Sequence, residues 1–352
     1  MKSKEGISAR SLEFDILKGL AIYLVLCGHS ITSLSSAEKQ DNILYCLIYA
    51  FHMPLFMLIS GYFSARTLTS PLLHITKKKF WQLIYPTLTF GIIFFLCDLT
   101  LWGRSPSEFF GYIWGSFWFL KSCFFCFIIF GICIKICKNN IVWASILGFA
   151  ISQFLPFFKL TYMLPFFITG FLINKNKDII YSRPGSIFSI SIVCFSTIFL
   201  CYLNFGWNDF PLMQLKAAIL KSNFFVVKDF ALYQGFRFFM GFSGAIAVIT
   251  GVIVLIKHGY LKNSLSFFQQ FGSETLLIYI FQTFLLEDIM AKIIDLNQLD
   301  INIFSFIIVP LVSLAVMDVC LHMANWLNKG KWTKVLISGL STWENREIST
   351  LP

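Results

Sequence analysis

The sequence predicts an all-α, polytopic membrane protein, a bundle of about ten transmembrane helices with both termini in the cytoplasm. Three observations predict this fold: the composition, the recurrence of apolar segments and the distribution of basic residues. Of the 352 residues, 57% are apolar and only 13% are charged, whereas a soluble domain carries about a quarter charged residues. Too few polar residues remain to cover a water-exposed surface, so part of the surface must face lipid.

Ten apolar segments recur along the chain, most of them near the length of about 20 residues that one bilayer crossing needs. The fifth and sixth segments are short. The predicted spans are residues 14–34, 43–63, 82–102, 112–134, 141–158, 161–174, 186–204, 236–256, 266–286 and 302–322.

The segments between the spans alternate between rich and poor in Lys and Arg. One side of the membrane receives 18 basic residues and the other receives eight. Cytoplasmic loops carry the excess of positive charge, so we expect both termini in the cytoplasm. The expected location is the cell (cytoplasmic or inner) membrane. We therefore predict a cytoplasmic N-terminal segment at 1–13, a membrane domain at 14–328 and a cytoplasmic tail at 329–352. This topology also explains the net charge of +10, and no nucleic-acid partner is expected.

The cysteines and the loops offer no cofactor site. All ten cysteines lie in or beside apolar stretches, where Cys behaves as a small hydrophobic residue. Cys123 and Cys126 have the CxxC spacing of metal and redox motifs but lack a second pair or a flanking His. No glycine-rich phosphate-binding loop is present. We expect neither a metal nor a bound cofactor. The longest outer connection, 205–235, is either an interfacial helix or a lid over an acceptor site.

The first predicted span carries three ionisable side chains, and such groups are costly at membrane depth, which indicates a functional site. On a helix of 3.6 residues per turn, Asp15, Lys18 and His29 lie on one stripe, with Lys18 about 16 Å from His29 along the axis. The stripe would run from the cytoplasmic face into the outer half of the bilayer. The alternative is that Asp15 and Lys18 are headgroup anchors and that His29 is a hydrogen-bonded interior residue.

The second predicted span contains His52 two residues before Pro54. Proline removes a backbone donor and clashes with the carbonyl four residues earlier, so a kink is expected near Ala50. His52 could then approach His29 in a shared cavity. A satisfied core histidine is the alternative interpretation of His52.

Four short motifs mark these two spans: Asp15–Leu20, Cys27–His29, Phe51–Phe56 and Ile59–Phe63. Together they resemble the opening of the acyltransferase-3 family of integral membrane O-acyltransferases, especially the branch of sugar O-acetylases. Looser matches follow in the same order along the later spans. They are the basic tract 77–79 with Tyr85-Pro86, Trp118-Phe119-Leu120, Leu164–Phe167, and Thr275–Tyr279.

The resemblance implies an enzyme that moves an acyl group, usually acetyl, from acyl-CoA to a hydroxyl, usually of a carbohydrate. It implies that His29 is the catalytic residue and that Lys18 occupies the place of a basic residue, often Arg, eleven positions earlier. Gln282 stands where the family often has a His in span nine. A neutral amide cannot act as acid or base, which leaves a catalytic contribution from that position in doubt.

Acyl transfer to an alcohol requires a base for the hydroxyl proton and a donor for the oxyanion. We expect His29 to take that proton, directly or through a water, and His52 to assist; an acyl-histidine intermediate is the alternative. Polyanionic acyl-CoA, the expected donor substrate, should bind the basic inner face, although topology alone also explains each basic residue there. The expected acyl-CoA-binding residues are Lys18, Arg66, Lys77, Lys78 and Lys79. The expected supporting residues are Asp15, Ser60 and Trp118.

A transporter of glycans or small solutes is the alternative function, because intramembrane charges can also bind cargo. A transporter predicts polar residues spread over several spans, whereas the ionisable residues noted above concentrate in the first two. A structural membrane protein would leave two buried histidines without a role. The expected partners are therefore acyl-CoA, a carbohydrate acceptor and the lipid bilayer.

Overall fold

The computed structural model describes residues 12–35, 42–155, 157–205, 224–259 and 262–330. Within these ranges the chain forms helices joined by short connections, without a strand, so the predicted all-α fold is confirmed. The predicted terminal segments 1–13 and 329–352 lie almost entirely outside the described residues. The same holds for the first part of the outer connection 205–235, whereas its last twelve residues, 224–235, belong to a long helix.

The helices follow one another with few long connections and are numbered here in chain order. They are α1 (Leu12–Leu34), α2 (Ile43–Thr67), α3 (Leu72–Lys79), α4 (Tyr85–Trp102), α5 (Phe109–Gly115), α6 (Trp118–Ile136), α7 (Ile141–Ser152), α8 (Leu160–Lys175), α9 (Asp178–Ser182), α10 (Pro184–Phe205), α11 (Phe224–Lys257), α12 (Lys262–Gly272), α13 (Thr275–Gln282), α14 (Ala291–Ile293), α15 (Ile301–Ile303) and α16 (Val309–Lys329). Three π-helical segments within the described ranges extend these helices: Phe80–Ile84, Thr283–Met290 and Phe304–Ile308.

Eight helical stretches within the described residues are long and apolar enough to cross a membrane. They are α1, α2, α3 with α4, α6, α8, α10, α11, and α15 with α16. The predicted fifth span is the 12-residue α7, which at about 18 Å is shorter than a hydrocarbon core of about 30 Å. The polytopic membrane bundle is confirmed, and the count of ten spans stays a prediction.

The predicted ninth span, 266–286, differs in its boundaries from the structure. α12 ends at Gly272, a short non-helical connection follows, and α13 begins only at Thr275. α12 instead packs along the first half of α1, where a Cβ on Gly272 would lie 2.0 Å from the Asp15 carbonyl oxygen. From α13 the apolar helix continues through a π-helical segment to Ile293, seven residues beyond the predicted end.

α2 and α8 are in backbone-to-backbone contact beside the site. A Cβ on Gly61 would lie 1.9 Å from the Phe167 carbonyl oxygen, and a Cβ on Gly170 would lie 2.0 Å from the Leu58 carbonyl oxygen. Only glycine permits this approach, and small residues are typical of helix contacts in lipid. The contact fixes the register of α2, which carries His52, against α8.

The predicted fourth span, 112–134, also begins later in the structure, because the helix is interrupted between α5 and α6. Phe117 adopts a left-handed φ of 53°, and α6 starts at Trp118. The buried ammonium group of Lys121 donates to three backbone carbonyl oxygens around the end of α5, at 2.5 to 3.0 Å. These carbonyls have no intrahelical donors at a helix end, so Lys121 stabilises the break that positions Trp118.

Candidate active site

A cavity of about 550 Å³ lies between the last half of α1 and the first half of α2. Residues of α6, α8, α11 and α13, and of the segment after α13, complete its wall. The lining combines two histidines, a carboxylate, two cations and several tyrosines. Its volume is in the range of cavities that bind small molecules, about 300–1,000 Å³.

His29 on α1 and Glu287 form a contact inside this cavity. Nδ1 of His29 lies against Oε1 of Glu287. An ionised carboxylate can only accept a hydrogen bond, so Nδ1 carries a proton, and in the neutral ring Nε2 keeps its lone pair. Glu287 belongs to the π-helical segment Thr283–Met290, which packs against α1. The pair forms a carboxylate–imidazole dyad, an arrangement that orients a general base.

Glu287 is the functional candidate that the sequence prediction missed. The predicted ninth span ended at residue 286, which assigned Glu287 to an outer connection. In the structure the helix continues past it, so this carboxylate belongs to the apolar helix rather than to a loop. The available signal was the pair Glu287 and Asp288, set within an apolar run that continues to Ile294.

His52 lines the same cavity as His29, from the neighbouring helix. Its Nδ1 lies 2.8 Å from the Ile48 carbonyl oxygen, which makes Nδ1 the donor and Nε2 the acceptor. The Tyr49 ring contacts the imidazole edge to face, with ring centroids 4.8 Å apart. Both predicted histidines therefore lie at one cavity with Nδ1 engaged, which leaves Nε2 as the acceptor of the neutral ring, and their catalytic roles stay predictions.

Gln282, at the position where the resemblance implies a histidine, is fully buried and does not line the cavity. Its Nε2 donates to the Tyr279 carbonyl oxygen at 3.2 Å and to the Thr283 hydroxyl at 2.9 Å. Its Oε1 has no hydrogen-bond partner within the part of the chain that the structure describes. The Gln282 side chain is therefore buried inside the bundle and does not line the cavity that contains the dyad.

Two cations that the sequence prediction did not assign to the site also reach the cavity. Nζ of Lys159, just before α8, lies 4.4 Å from the centroid of the Trp118 ring. Cζ of Arg237 on α11 lies 5.1 Å from the centroid of the Tyr162 ring. All four residues line the cavity. The expectation that ionisable residues concentrate in the first two spans is therefore wrong, because the folded chain brings them together from distant helices.

A second, smaller cavity of about 160 Å³ adjoins the first. Met53 and Tyr279 line both cavities. The second lining is mainly apolar and includes Ser60 and Leu83, whereas Trp118 lines only the first cavity. Leu83 lies in the π-helical segment directly after the basic end of α3, so the second cavity extends from the dyad side toward the predicted cytoplasmic end.

The predicted acyl-CoA-binding residues all lie at that end of the bundle, where α1 begins, α2 ends and α3 follows. Nζ of Lys18 is 3.7 Å from Oδ1 of the buried Asp15 and 4.5 Å from the centroid of the Phe63 ring. Nζ of Lys79 donates to Oε1 of Gln82 at 2.9 Å. Arg66 and Lys77 are exposed and Lys78 is half-buried. None of the five basic residues lines either cavity.

A buried ion network holds the segment that carries Glu287. Asp98 on α4 is buried and contacts both Arg104 Nε and Lys292 Nζ. The Tyr112 hydroxyl donates to Oδ2 of Asp288 at 3.0 Å. Buried charges are costly unless they are paired, so such networks favour one geometry more than they add stability. The contacts tie the segment to α4 and α5 on the side away from the cavity.

Comparisons with known proteins identify the family of the chain. A family model for the acyltransferase domain, acyltransferase-3, matches residues 11–322. Nodulation protein NolL from Mesorhizobium japonicum is 28% identical over 305 residues, which cover 79% of this chain and 77% of that protein. Nodulation protein NolL from Sinorhizobium fredii is 27% identical over 231 residues, 60% of this chain and 62% of that protein. No solved structure matches the chain.

The family match includes both helices that carry the histidines and the segment that carries Glu287. It extends over most of the described membrane bundle. The chain therefore belongs to the acyltransferase-3 family, and the protein is a multi-pass membrane acyltransferase.

Proposed function

We propose that the protein transfers an acyl group, in the simplest case acetyl, from cytoplasmic acyl-CoA to a hydroxyl of a carbohydrate. The observation that carries the proposal is the contact between His29 Nδ1 and Glu287 Oε1 in a cavity of ligand size. Family membership supplies the reaction class. The dyad supplies the base that an alcohol needs before it can attack a thioester.

In the proposed reaction, Nε2 of His29 accepts the proton of the acceptor hydroxyl while the hydroxyl oxygen bonds to the thioester carbonyl carbon. Glu287 keeps the ring in the required tautomer and stabilises the imidazolium that forms. Collapse of the tetrahedral intermediate then breaks the carbon–sulfur bond, and the imidazolium returns its proton to the leaving CoA thiolate. The products are an ester and free CoA, with His29 neutral again.

Two further side chains complete the proposed site. Tyr279 lines both cavities, so its hydroxyl group is suited to stabilise an oxyanion where donor and acceptor meet. Nδ1 of His52 donates to the Ile48 carbonyl, which leaves Nε2 to accept a hydrogen bond and orient the acceptor. Direct transfer through these groups requires no acyl-enzyme.

The donor path in this proposal uses the smaller cavity. Acyl-CoA binds with its phosphates at the basic inner face formed by Lys18, Arg66 and Lys77–Lys79. The thioester then reaches the dyad through the mainly apolar lining around Ser60. An apolar lining suits the uncharged arm of the donor, and the basic residues suit its phosphates. In this proposal the protein lies in the cell membrane with its basic end in the cytoplasm, and residues 14–328 form one membrane domain.

The acceptor in this proposal occupies the larger cavity. Tyr45, Tyr49, Tyr162 and Trp118 line it, and such rings offer an apolar face together with a polar group. A sugar has the same combination of apolar C–H faces and hydroxyl groups. This lining favours a carbohydrate acceptor over a purely apolar one.

The test is transfer of radiolabel from acetyl-CoA to glycan in membranes that contain wild-type protein, His29→Ala, or no protein, at equal expression. His258→Ala is the matched control, because His258 is exposed at the end of α11, away from the cavity lining. We expect label in glycan with wild type and His258→Ala, and background label with His29→Ala.

Equal glycan labelling by wild type and His29→Ala would remove His29 from the reaction. The absence of label above empty membranes, after other acyl-CoA donors and glycan acceptors have been tried, would contradict the proposed substrates. Label that accumulates on the protein itself in an acid-quenched sample would replace direct transfer by the acyl-histidine route.

A further inference from the structure

An ionisable pair lies on the face of α16 that points away from the bundle, outside the candidate active site. The Asp318 and His322 side chains are 56% and 78% exposed, and His322 Nε2 lies 3.5 Å from Asp318 Oδ2. Their neighbours Val319 and Trp326 are also exposed, as expected for a face that contacts lipid. In contrast, Asp98 in α4 is buried and paired inside the bundle.

The pair lies deep within the membrane-spanning region. Ser313 Oγ lies 3.1 Å from Ser30 Oγ, near the outer end of α1. Asn328 donates to Glu274 at 3.1 Å, near the first turn of α1. Asp318 stands five residues after Ser313 and ten before Asn328, or about 7.5 Å and 15 Å along the axis. Asp318 therefore lies between the two ends of the bundle, in the middle part of the apolar span Ile301–Lys329.

The exposed face has the spacing of a helix–helix seam. Its positions repeat every four and three residues, the a and d pattern of coiled coils. They are Leu311, Ala315, Asp318, His322, Asn325 and Lys329, and all six are exposed. The small side chain of Ala315 lets two helices approach closely in lipid. The amide of Asn325 can hydrogen-bond across a helix pair, and a single Asn on such a seam fixes its register.

We propose that this face of α16 is the surface through which two copies of the protein associate in the membrane. Ionisable side chains in contact with lipid are costly and rare, and they normally face protein or a water-filled space. A second copy fits because the face is self-complementary. It presents an acceptor, Asp318, and a donor, His322, one helical turn apart.

Both copies insert into the membrane with the same orientation. A two-fold axis normal to the bilayer therefore relates them, and the two α16 helices run parallel. Asp318 of each copy then meets the partner's His322, so the same contact forms twice. The offset between the two residues is four positions, about 6 Å along the axis, which both side chains can span. Asn325 lies opposite its own counterpart, and an amide can donate to another amide and accept from it. This proposal rests on the fold alone and is independent of the proposed substrates.

The first experiment is disulfide cross-linking of full-length protein in membranes. Ala315→Cys places a thiol on the proposed seam without removing a polar group, and Ile190→Cys is the matched control on the exposed face of α10. Both are made in a Cys194→Ser background, because Cys194 is the exposed cysteine among the ten native ones. We expect a linked dimer of twice 40.4 kDa with Ala315→Cys and background linkage with Ile190→Cys.

The second experiment asks whether Asp318 and His322 act between copies. In the Ala315→Cys background, Asp318→Leu or His322→Leu alone removes both contacts of a homodimer. We expect each to lower the linked fraction about fivefold, the scale of a few interhelical hydrogen bonds in lipid. When differently tagged forms of the two variants are co-expressed, their mixed dimer keeps one intact contact. We expect it to link about twofold more than either homodimer, because one of two equal contacts is kept.

Recovery in the mixed dimer cannot arise from a contact within one chain, because neither variant chain contains both residues. All substitutions lie on exposed positions, and detergent elution profiles check that each variant stays folded. Equal linkage at Ala315→Cys and Ile190→Cys would overturn the proposal. Wild-type levels of linkage in the single variants would also overturn it, and so would a mixed dimer that is no more abundant than the homodimers. A different membrane partner on this face would leave Ala315→Cys at the background level of Ile190→Cys.

Discussion

At the residue scale, the protonation pattern around the larger cavity depends on which neighbour each imidazole contacts. His29 is oriented by the Glu287 carboxylate and His52 by a carbonyl of its own helix. Both contacts use Nδ1, so both Nε2 atoms are acceptors. A His at position 29 was visible in the sequence, but its carboxylate partner lies 258 residues away along the chain and becomes apparent only in the folded bundle.

A substitution of Gln282 tests whether the position at which the family often has a His contributes to catalysis in this chain. Gln282→Met keeps the volume of a fully buried side chain and removes an amide whose Oε1 has no hydrogen-bond partner within the described ranges. Because the side chain lies outside the cavity lining, we expect kcat to change less than about threefold, as for a volume-conserving core substitution. Steady-state acyl transfer measures this. A loss of a hundredfold or more would assign Gln282 a direct role.

At the element scale, the π-helical segment Thr283–Met290 decides where the carboxylate of the dyad lies. π-helical turns are uncommon in proteins overall, and those that occur often lie at functional sites. Here the segment presents Glu287 to α1 while Asp288 and Lys292 bond to α5 and α4. The sequence indicated an apolar helix in this region but not its π-helical winding, because that depends on tertiary contacts. The predicted span also began nine residues before α13 and ended seven residues short of Ile293.

Tyr112→Phe removes the hydroxyl that donates to Asp288 and leaves that buried carboxylate with one donor fewer. We expect the segment to lose its fixed position, so that kcat falls about threefold to tenfold while the KM for acyl-CoA stays unchanged. Tyr181→Phe on α9 is the matched control. A higher KM with an unchanged kcat would instead place Tyr112 in donor binding.

Gly61→Ala tests the backbone contact between α2 and α8. The added Cβ would lie 1.9 Å from the Phe167 carbonyl oxygen, so the helices must separate. We expect a destabilisation of about 1–3 kcal/mol, the usual cost of overpacking, seen as a lower midpoint of thermal aggregation in detergent. Gly235→Ala in α11 is the control, because a Cβ there meets no atom of the described residues within 4 Å. Equal midpoints for the two variants would contradict the close contact.

At the scale of the whole molecule, composition and the recurrence of apolar segments predicted the membrane bundle correctly, because lipid exposure imposes both on the sequence. The site was predicted only in part. α1 and α2 carry His29 and His52 in neighbouring, strongly patterned segments. In contrast, Lys159 lies just before α8, Arg237 lies inside α11, and Glu287 lies in a helix whose boundaries were misplaced. Such residues are brought together by the packing of helices that are distant in sequence. The periodic pattern within one helix does not predict that packing.

The proposed division of the molecule into a donor end and an acceptor end predicts a salt-dependent donor KM. Arg66→Ala with Lys77→Ala removes two exposed charges from the basic end. We expect the KM for acyl-CoA to rise about threefold to tenfold at low salt and the difference to shrink at high salt, because salt screens exposed charges; kcat should stay constant. Lys135→Ala with Lys138→Ala, also exposed, is the control. Equal KM values for both double variants would contradict donor binding at α2 and α3.

The measurement that tests the central claim most directly is a double-mutant cycle on the dyad, with kcat for acyl transfer measured for His29→Ala, Glu287→Gln and the double variant. If the two residues act as one general base, each single change lowers kcat about 10²- to 10⁴-fold, and the double variant loses no more than the worse single variant. Single losses that multiply in the double variant, or a Glu287→Gln enzyme with wild-type kcat, would contradict the dyad.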